Sequence, residues 1–226
     1  MNKYVYRLAL IFFILGLFVT VIDLNAFNQS YYIKMYEQEA VYDTLKLEEN
    51  TVMEATEVML AYLKDKRTDM DYKMSDGQSY YSQRELDHMV DVKELYQGAL
   101  LFRNVSLIFS VLIIFDALFR KRYCELQEGF TWSLSVLAII FMSLGLYAWV
   151  DFDHFWIQFH HLFFSNDLWL LDPAVDRLIS MVPLPFFMGL VLRIVLSFMV
   201  VLSLCFIAYL YFRKKCYDDS RGITSN

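Results

Sequence analysis

Apolar residues gather into four long runs, 4–24, 102–119, 131–150 and 186–212, each close to the roughly 20 residues that a helix needs to cross hydrocarbon. Elsewhere the pattern changes period. Thr51-Val52-Met53-Glu54 has capping-box spacing, and Val52, Ala55, Val58, Met59, Tyr62 and Leu63 recur at helical intervals, which predicts an amphipathic helix over 51–65. Asp76-Gly77 reads as a tight turn between two short polar-aromatic arms, 71–74 and 79–81, the pattern of a small hairpin. A second capping box, Ser82-Gln83-Arg84-Glu85, opens a helix that meets no Gly or Pro before Gly98 and can run into the second apolar stretch. From 151 to 185 the chain is crowded with Phe152, Phe155, Trp156, Phe159, Phe163, Phe164, Trp169 and Leu170, too hydrophobic for a solvated connector and suited to a membrane interface. Within it, Asp172-Pro173 predicts the cap and first residue of a short helix ending before Pro183, and Pro185 can open the last span.

The fold expected is an all-α integral membrane protein. Four transmembrane helices carry an extracellular, mostly helical cap, with a small hairpin, between helices 1 and 2. The chain divides into helix 1 (1–24), cap (25–101), helix 2 (102–119), cytoplasmic loop (120–130), helix 3 (131–150), extracellular loop (151–185), helix 4 (186–212) and cytoplasmic tail (213–226). Composition agrees: 58% hydrophobic, 18% aromatic and a mean hydropathy of +0.37 are excessive for a soluble domain of this size. Helix 2 is the weakest span, with Arg103 and Asn104 at one end and Asp116, a charge satisfied beside the basic cluster, at the other.

Charge sets the orientation. Lys3, Arg7, Arg120, Lys121, Arg122, Arg213, Lys214, Lys215 and Arg221 flank the runs on one side, which marks that side and both termini as cytoplasmic. Residues 23–98 hold sixteen acids against eight bases, and 151–185 hold five aspartates against Arg177. An acidic exterior excludes nucleic acid as a natural partner. Leu24-Asn25-Ala26-Phe27 is a poor cleavage site, so the first run reads as an uncleaved anchor. Cys124, Cys205 and Cys216 fall in the cytoplasmic loop, a span and the tail, leaving no disulfide for the exterior and no lipid-modified cysteine after the first span.

All four histidines, His88, His154, His160 and His161, lie in the two outward segments. Imidazole gives or takes a proton near neutral pH, so one histidine from each segment makes an acid/base pair. Asp91 follows His88 at i+3, where it can set the ring's tautomer, and Lys93 shares the helix. On a helix, His160 sits in a slot of Trp156, Phe163 and Phe164. Asp151, Asp153, His154 and His161 lack metal-motif spacing, and Ser165 has no glycine elbow around it, so neither a metal nor a serine nucleophile is expected. Arg193, two turns into helix 4, is an expensive charge that pairs with a carboxylate such as Asp23 or with a substrate oxygen.

Phe159-His160-His161-Leu162-Phe163-Phe164-Ser165-Asn166-Asp167-Leu168-Trp169, continued by Asp172-Pro173-Ala174-Val175-Asp176, resembles the FHxxFFxNDxWxxDPxxD stretch of the lipoprotein intramolecular transacylase family of Gram-positive bacteria. His88-Met89-Val90-Asp91-Val92-Lys93 is similar to that family's HMxDVK motif. The likeness extends to the span arrangement and so covers essentially the whole chain. It implies a cofactor-free acyltransferase of the bacterial plasma membrane, working at the outer face among membrane lipids on diacylglyceryl-modified lipoproteins. The sn-2 acyl chain would move to the α-amino group of the lipoprotein's own N-terminal cysteine, giving the lyso-form. By resemblance the catalytic histidines are His88 and His160. Substrate binding or orientation then falls to Asp91, Lys93, Phe159, Phe163, Phe164, Asn166, Asp167, Trp169, Tyr80, Tyr81 and Arg193. Asn166 is the expected donor to the ester or oxyanion, while Asp167 and Asp172 brace the loop. Two alternatives stand beside this reading: a non-enzymatic membrane sensor or assembly factor, and a lipoprotein or lipid esterase.

Overall fold

Residues 3–221 are described in the computed structural model, and they fold into nine helices with no strand among them. In chain order these are α1 (Lys3–Ala26), α2 (Gln29–Gln38), α3 (Val41–Leu45), α4 (Glu49–Leu63), α5 (Gln83–Phe119), α6 (Tyr123–Val150), α7 (Phe152–Phe163), α8 (Leu178–Met181) and α9 (Leu184–Ser220). Of these, α1, α5, α6 and α9 are long and apolar enough to cross a membrane. The end of the expected tail, 222–226, lies outside the described residues.

Two compact units emerge. The span unit comprises 3–22, 100–151 and 194–221; the cap unit comprises 23–99 and 152–193. Within the span unit α1 is the most buried of the four long helices, with 33% of its apolar stretch buried against 6% for α9. Small residues let it approach its neighbours. A Cβ on Gly16 would meet Leu107 of α5 at 2.8 Å, and one on Gly129 of α6 would meet Leu10 at 3.0 Å. Hydroxyl groups tie the same helices, Ser110 donating to the Ala9 carbonyl at 2.7 Å and Ser133 to that of Arg7 at 2.9 Å. Asp116 pairs with Arg120 at 2.8 Å, which satisfies the charge at the end of α5. Cys124 and Cys216, 92 residues apart, form a disulfide between the start of α6 and the end of α9.

In the cap unit an aromatic core of Tyr31, Tyr32, Tyr36, Tyr62, Tyr80, Tyr81 and Phe186 packs with aliphatic residues of α4. Two local expectations are corrected. Helix α4 begins at Glu49, earlier than the Thr51 box predicts, because the Val52 amide bonds to the Glu48 carbonyl and carries the helix a turn upstream. No helix starts at Asp172-Pro173: Asp172 folds back to accept the Ala174 amide at 2.9 Å, and the only helix there is α8, from Leu178. The Asp76-Gly77 turn is closed by Gly77 at φ +80°, a left-handed angle that glycine takes without strain, and its arms meet in one antiparallel bridge, Lys73 to Ser79.

Candidate active site

The Ser82 box forms as a capping box should, and this fixes where His88 lies. The Ser82 amide donates to Glu85 Oε2 at 2.6 Å, and the Glu85 amide donates back to Ser82 Oγ at 3.2 Å. Both side chains also reach across sequence. The Ser82 hydroxyl donates to Asp176 at 2.6 Å, and the second oxygen of fully buried Glu85 accepts the Leu178 amide. Arg84 donates to the Asp167 carbonyl, and Arg177 to the carbonyls of Ser79 and Tyr80. These bonds clamp 167–178 onto the first turn of α5, one turn before His88.

His160 comes from α7, and the two imidazoles face each other with centroids 6.3 Å apart, each 7% exposed. His160 Nδ1 lies 2.7 Å from the Trp156 carbonyl. A carbonyl has no proton to give, so Nδ1 carries the hydrogen, and in the neutral ring Nε2 holds a free lone pair. Trp169 stacks on His160 at 4.7 Å, Trp156 meets it edge-on at 4.8 Å, and Phe164 touches both histidines, at 5.4 Å from His88 and 5.6 Å from His160. Phe159 and Phe163 extend this wall. Burial lowers the His88 pKa to about 4; the neighbouring His160 adds to the effect and Asp91 opposes it. Burial also lowers that of His160, against the Trp156 carbonyl. Both rings, outside the apolar spans, are therefore neutral at pH 7.

Asp91 does not set the His88 tautomer: its Oδ2 accepts the Asn166 amide at 2.8 Å, and His88 Nδ1 has no partner among the described residues. A cleft of about 260 Å³ lies beside the Asp91–Asn166 pair, lined by Asp91, Glu94, Leu95, Phe163, Phe164, Ser165 and Asn166. A larger groove, about 480 Å³ between Phe27 and Lys66, contains no histidine. Other candidate residues sit elsewhere. Lys93 pairs with Asp65 at 2.8 Å over the Tyr62 ring. Tyr81 donates to the Ala55 carbonyl at 2.9 Å, and Tyr80 packs between Tyr81 and the Arg177 guanidinium. Arg193 donates to Asn25 at 2.8 Å and lies over Tyr31. His154 is exposed beside Gln158, and exposed His161 meets Trp169 edge-on. No group of three metal-ligating side chains occurs among the described residues. Sequence reasoning missed Glu85, whose capping-box position was its only signal, and Arg84, which had none.

No curated protein matches the chain. Solved structures do, among them the membrane-integral lipoprotein intramolecular transacylase Lit of Bacillus cereus, at 22% identity and a TM-score of 0.76 over 95% of each chain. Two further structures of that protein carry a histidine-to-arginine and a histidine-to-alanine mutation. The first matches at 24% identity and TM-score 0.70 over 96% of this chain and 92% of the other. The second matches at 25% and 0.70, over 95% and 93%. The likeness establishes a multi-pass, nearly all-helical membrane fold. The model of the lipoprotein intramolecular transacylase Lit family matches residues 7–187, most of the sequence, and the chain belongs to that family of acyltransferases.

Proposed function

We propose that this transacylase takes a diacylglyceryl lipoprotein at the outer face of the plasma membrane, with both its own termini in the cytoplasm. It moves the sn-2 acyl chain to the α-amino group of the lipoprotein's N-terminal cysteine, using His88 and His160. The 6.3 Å pairing of two neutral, buried imidazoles from distant segments carries the reading. A nucleophilic amine must lose a proton, and the departing sn-2 oxygen must gain one. The lone pair on His160 Nε2 suits the first of these transfers, taking the proton while the amine nitrogen bonds to the acyl carbon. When the C–O bond breaks, that proton is returned to the glyceryl oxygen with His88 alongside, so no proton is gained or lost in the transfer itself. The cyclic transition state, about eight atoms round, is entropically unfavourable, and a confining site offsets that cost. In the cleft that Phe164 shares with the rings, Asp91 and Glu94 suit the amine as it arrives cationic, before it gives one proton to solvent and attacks as the neutral amine, and the phenylalanines suit an acyl chain.

Mass spectrometry of a diacylglyceryl lipoprotein incubated with the protein tests this. Unchanged mass with one acyl group on nitrogen is expected. Loss of one acyl chain would make the protein an esterase, and an untouched lipoprotein would make it a binding factor.

A further inference from the structure

Asn166, the donor expected from sequence to face the ester, is engaged in holding the site together: its amide donates to Asp91 at 2.8 Å and its carbonyl accepts the Leu168 amide at 3.1 Å. A different donor stands beside the histidines without a partner. Trp169 Nε1 is buried and makes no hydrogen bond among the described residues. The Tyr42 and Tyr80 hydroxyls share that condition in the tyrosine core, but a hydroxyl rotates and also accepts, whereas an indole N–H is a donor only, fixed in the ring plane. A buried donor left unmade costs stability, and in a native structure such a group calls for a role.

Its surroundings suggest one. The indole ring lies on His160, tilted by 27° with centroids 4.7 Å apart, while His161 meets it edge-on at 5.2 Å. The backbone that carries it is braced: Leu170 N–H bonds to the Asp167 carbonyl, Leu171 N–H to the Trp169 carbonyl, and Arg84 clamps Asp167. The indole is thereby pre-oriented against the ring that holds the basic lone pair. We propose that the Trp169 indole N–H donates to the acyl carbonyl oxygen and stabilises the negative charge that oxygen gains as the amine attacks. The inference rests on the transacylation proposed above. As the N–C bond forms, the carbonyl π electrons move onto oxygen; as the sn-2 C–O bond breaks, they return. A donor set in a water-poor site before the reaction strengthens its bond just as that charge appears. Because Nε1 is sealed from solvent, the ester reaches it by displacing side chains of the ring cluster.

The test compares the full-length protein in membranes with two variants, Trp169→Phe and replacement of Trp169 by benzothienylalanine, which keeps the bicyclic shape and stacking but has sulfur in place of N–H. Both should insert normally and lose about a hundredfold in kcat with KM changed little, the usual cost of removing one oxyanion donor, and the benzothienyl protein, which keeps the ring contacts, should melt no lower than the wild type. If Trp169→Phe fails to insert, the benzothienyl protein alone decides. Wild-type kcat in the benzothienyl protein overturns the proposal, whatever Trp169→Phe does, because the ring rather than its N–H would then be what matters. Should the wild type itself leave the lipoprotein unconverted, the proposed function falls and takes this inference with it; an active wild type with fast variants removes the inference alone.

Discussion

The two units bury different kinds of polarity. In the cap unit the buried polar side chains are Asn25, Thr56 and four titratable ones, Glu85, His88, His160 and Asp176; those found in the span unit are Ser106, Ser110 and Ser133, none of them titratable. Hydroxyls on a span can satisfy themselves on a helix carbonyl, as Ser110 does at Ser106 and Ala9, so they join helices without carrying charge into lipid. A buried carboxylate needs free backbone amides. The cap unit supplies them at helix starts and in irregular chain: Ser82, just before α5, and Leu178, the first residue of α8, for Glu85, and Asp172 for Asp176. Amides at helix starts and in irregular chain are thus what allow this unit to hold two buried carboxyl groups in a dry setting.

The sharpest way to break that contrast is to remove a side chain from each unit. His88→Ala, His160→Ala and the double variant should each lose about 10² to 10⁴ in lipoprotein conversion, with the double little worse than either single, since groups acting as a unit are not additive. Leu146→Ala, on a span side chain 64% exposed in the bundle, should convert at the wild-type rate. Activity must be normalised to inserted protein. Full conversion by His88→Ala would dissolve the paired-histidine mechanism.

A smaller effect separates the units by pH. His88 has a folded-state pKa of about 4, below the ordinary value of 6.5, so the unfolded chain takes its proton first. His160 shifts in the same direction. Stability from His88 is therefore fully present above about pH 6.5, declines as pH falls from there towards 4, and levels off below, and His160 acts in the same direction. Each pH unit in that window is worth up to about 1.4 kcal/mol per fully shifted group, or a few degrees in melting temperature for a chain of this size. In detergent, wild-type melting should fall more between pH 7 and 5 than that of His88→Gln. Parallel pH profiles would mean that His88 is not buried neutral.

How far each unit could be read from sequence follows the same division. Spans are sorted by solvent, so four apolar runs and their basic flanks were enough to find α1, α5, α6 and α9. The Ser82 box was legible because both partners lie within one turn. Asp172-Pro173 misled because Asp172 closes only a local turn, with its carboxylate on the Ala174 amide and its amide on Asp176, while the helix that does form begins at Leu178, whose amide is taken by Glu85, 93 residues away. The Cys124–Cys216 bridge was hidden for the same reason, two isolated cysteines having no local pattern. His88 and His160 stood out by residue type and motif, but nothing local reveals that Trp169 stacks on one of them or that Asp91 faces Asn166.

The smallest effects lie among groups that surround the histidine pair without joining it, and they decide how far the site extends within the cap unit. His154 is exposed and lies 3.3 Å from the Gln158 amide, so His154→Ala should change kcat by less than about twofold. His161→Ala removes one edge of the Trp169 seat and should cost slightly more, about two- to threefold, a contact of this kind being worth about 0.5 kcal/mol or somewhat more. Asp91→Asn should cost about three- to tenfold. It removes the charge that holds the Asn166 amide, and also the one carboxylate effect that raises the His88 pKa. Without it the His88 pKa falls further, so the acid limb of the pH–rate profile should move to lower pH. Asn166→Ala, which frees Asp91 from its amide partner, should leave that limb where it is or move it upward. Equal shifts in the two variants would show that Asp91 acts on the loop alone and has no electrostatic hold on His88.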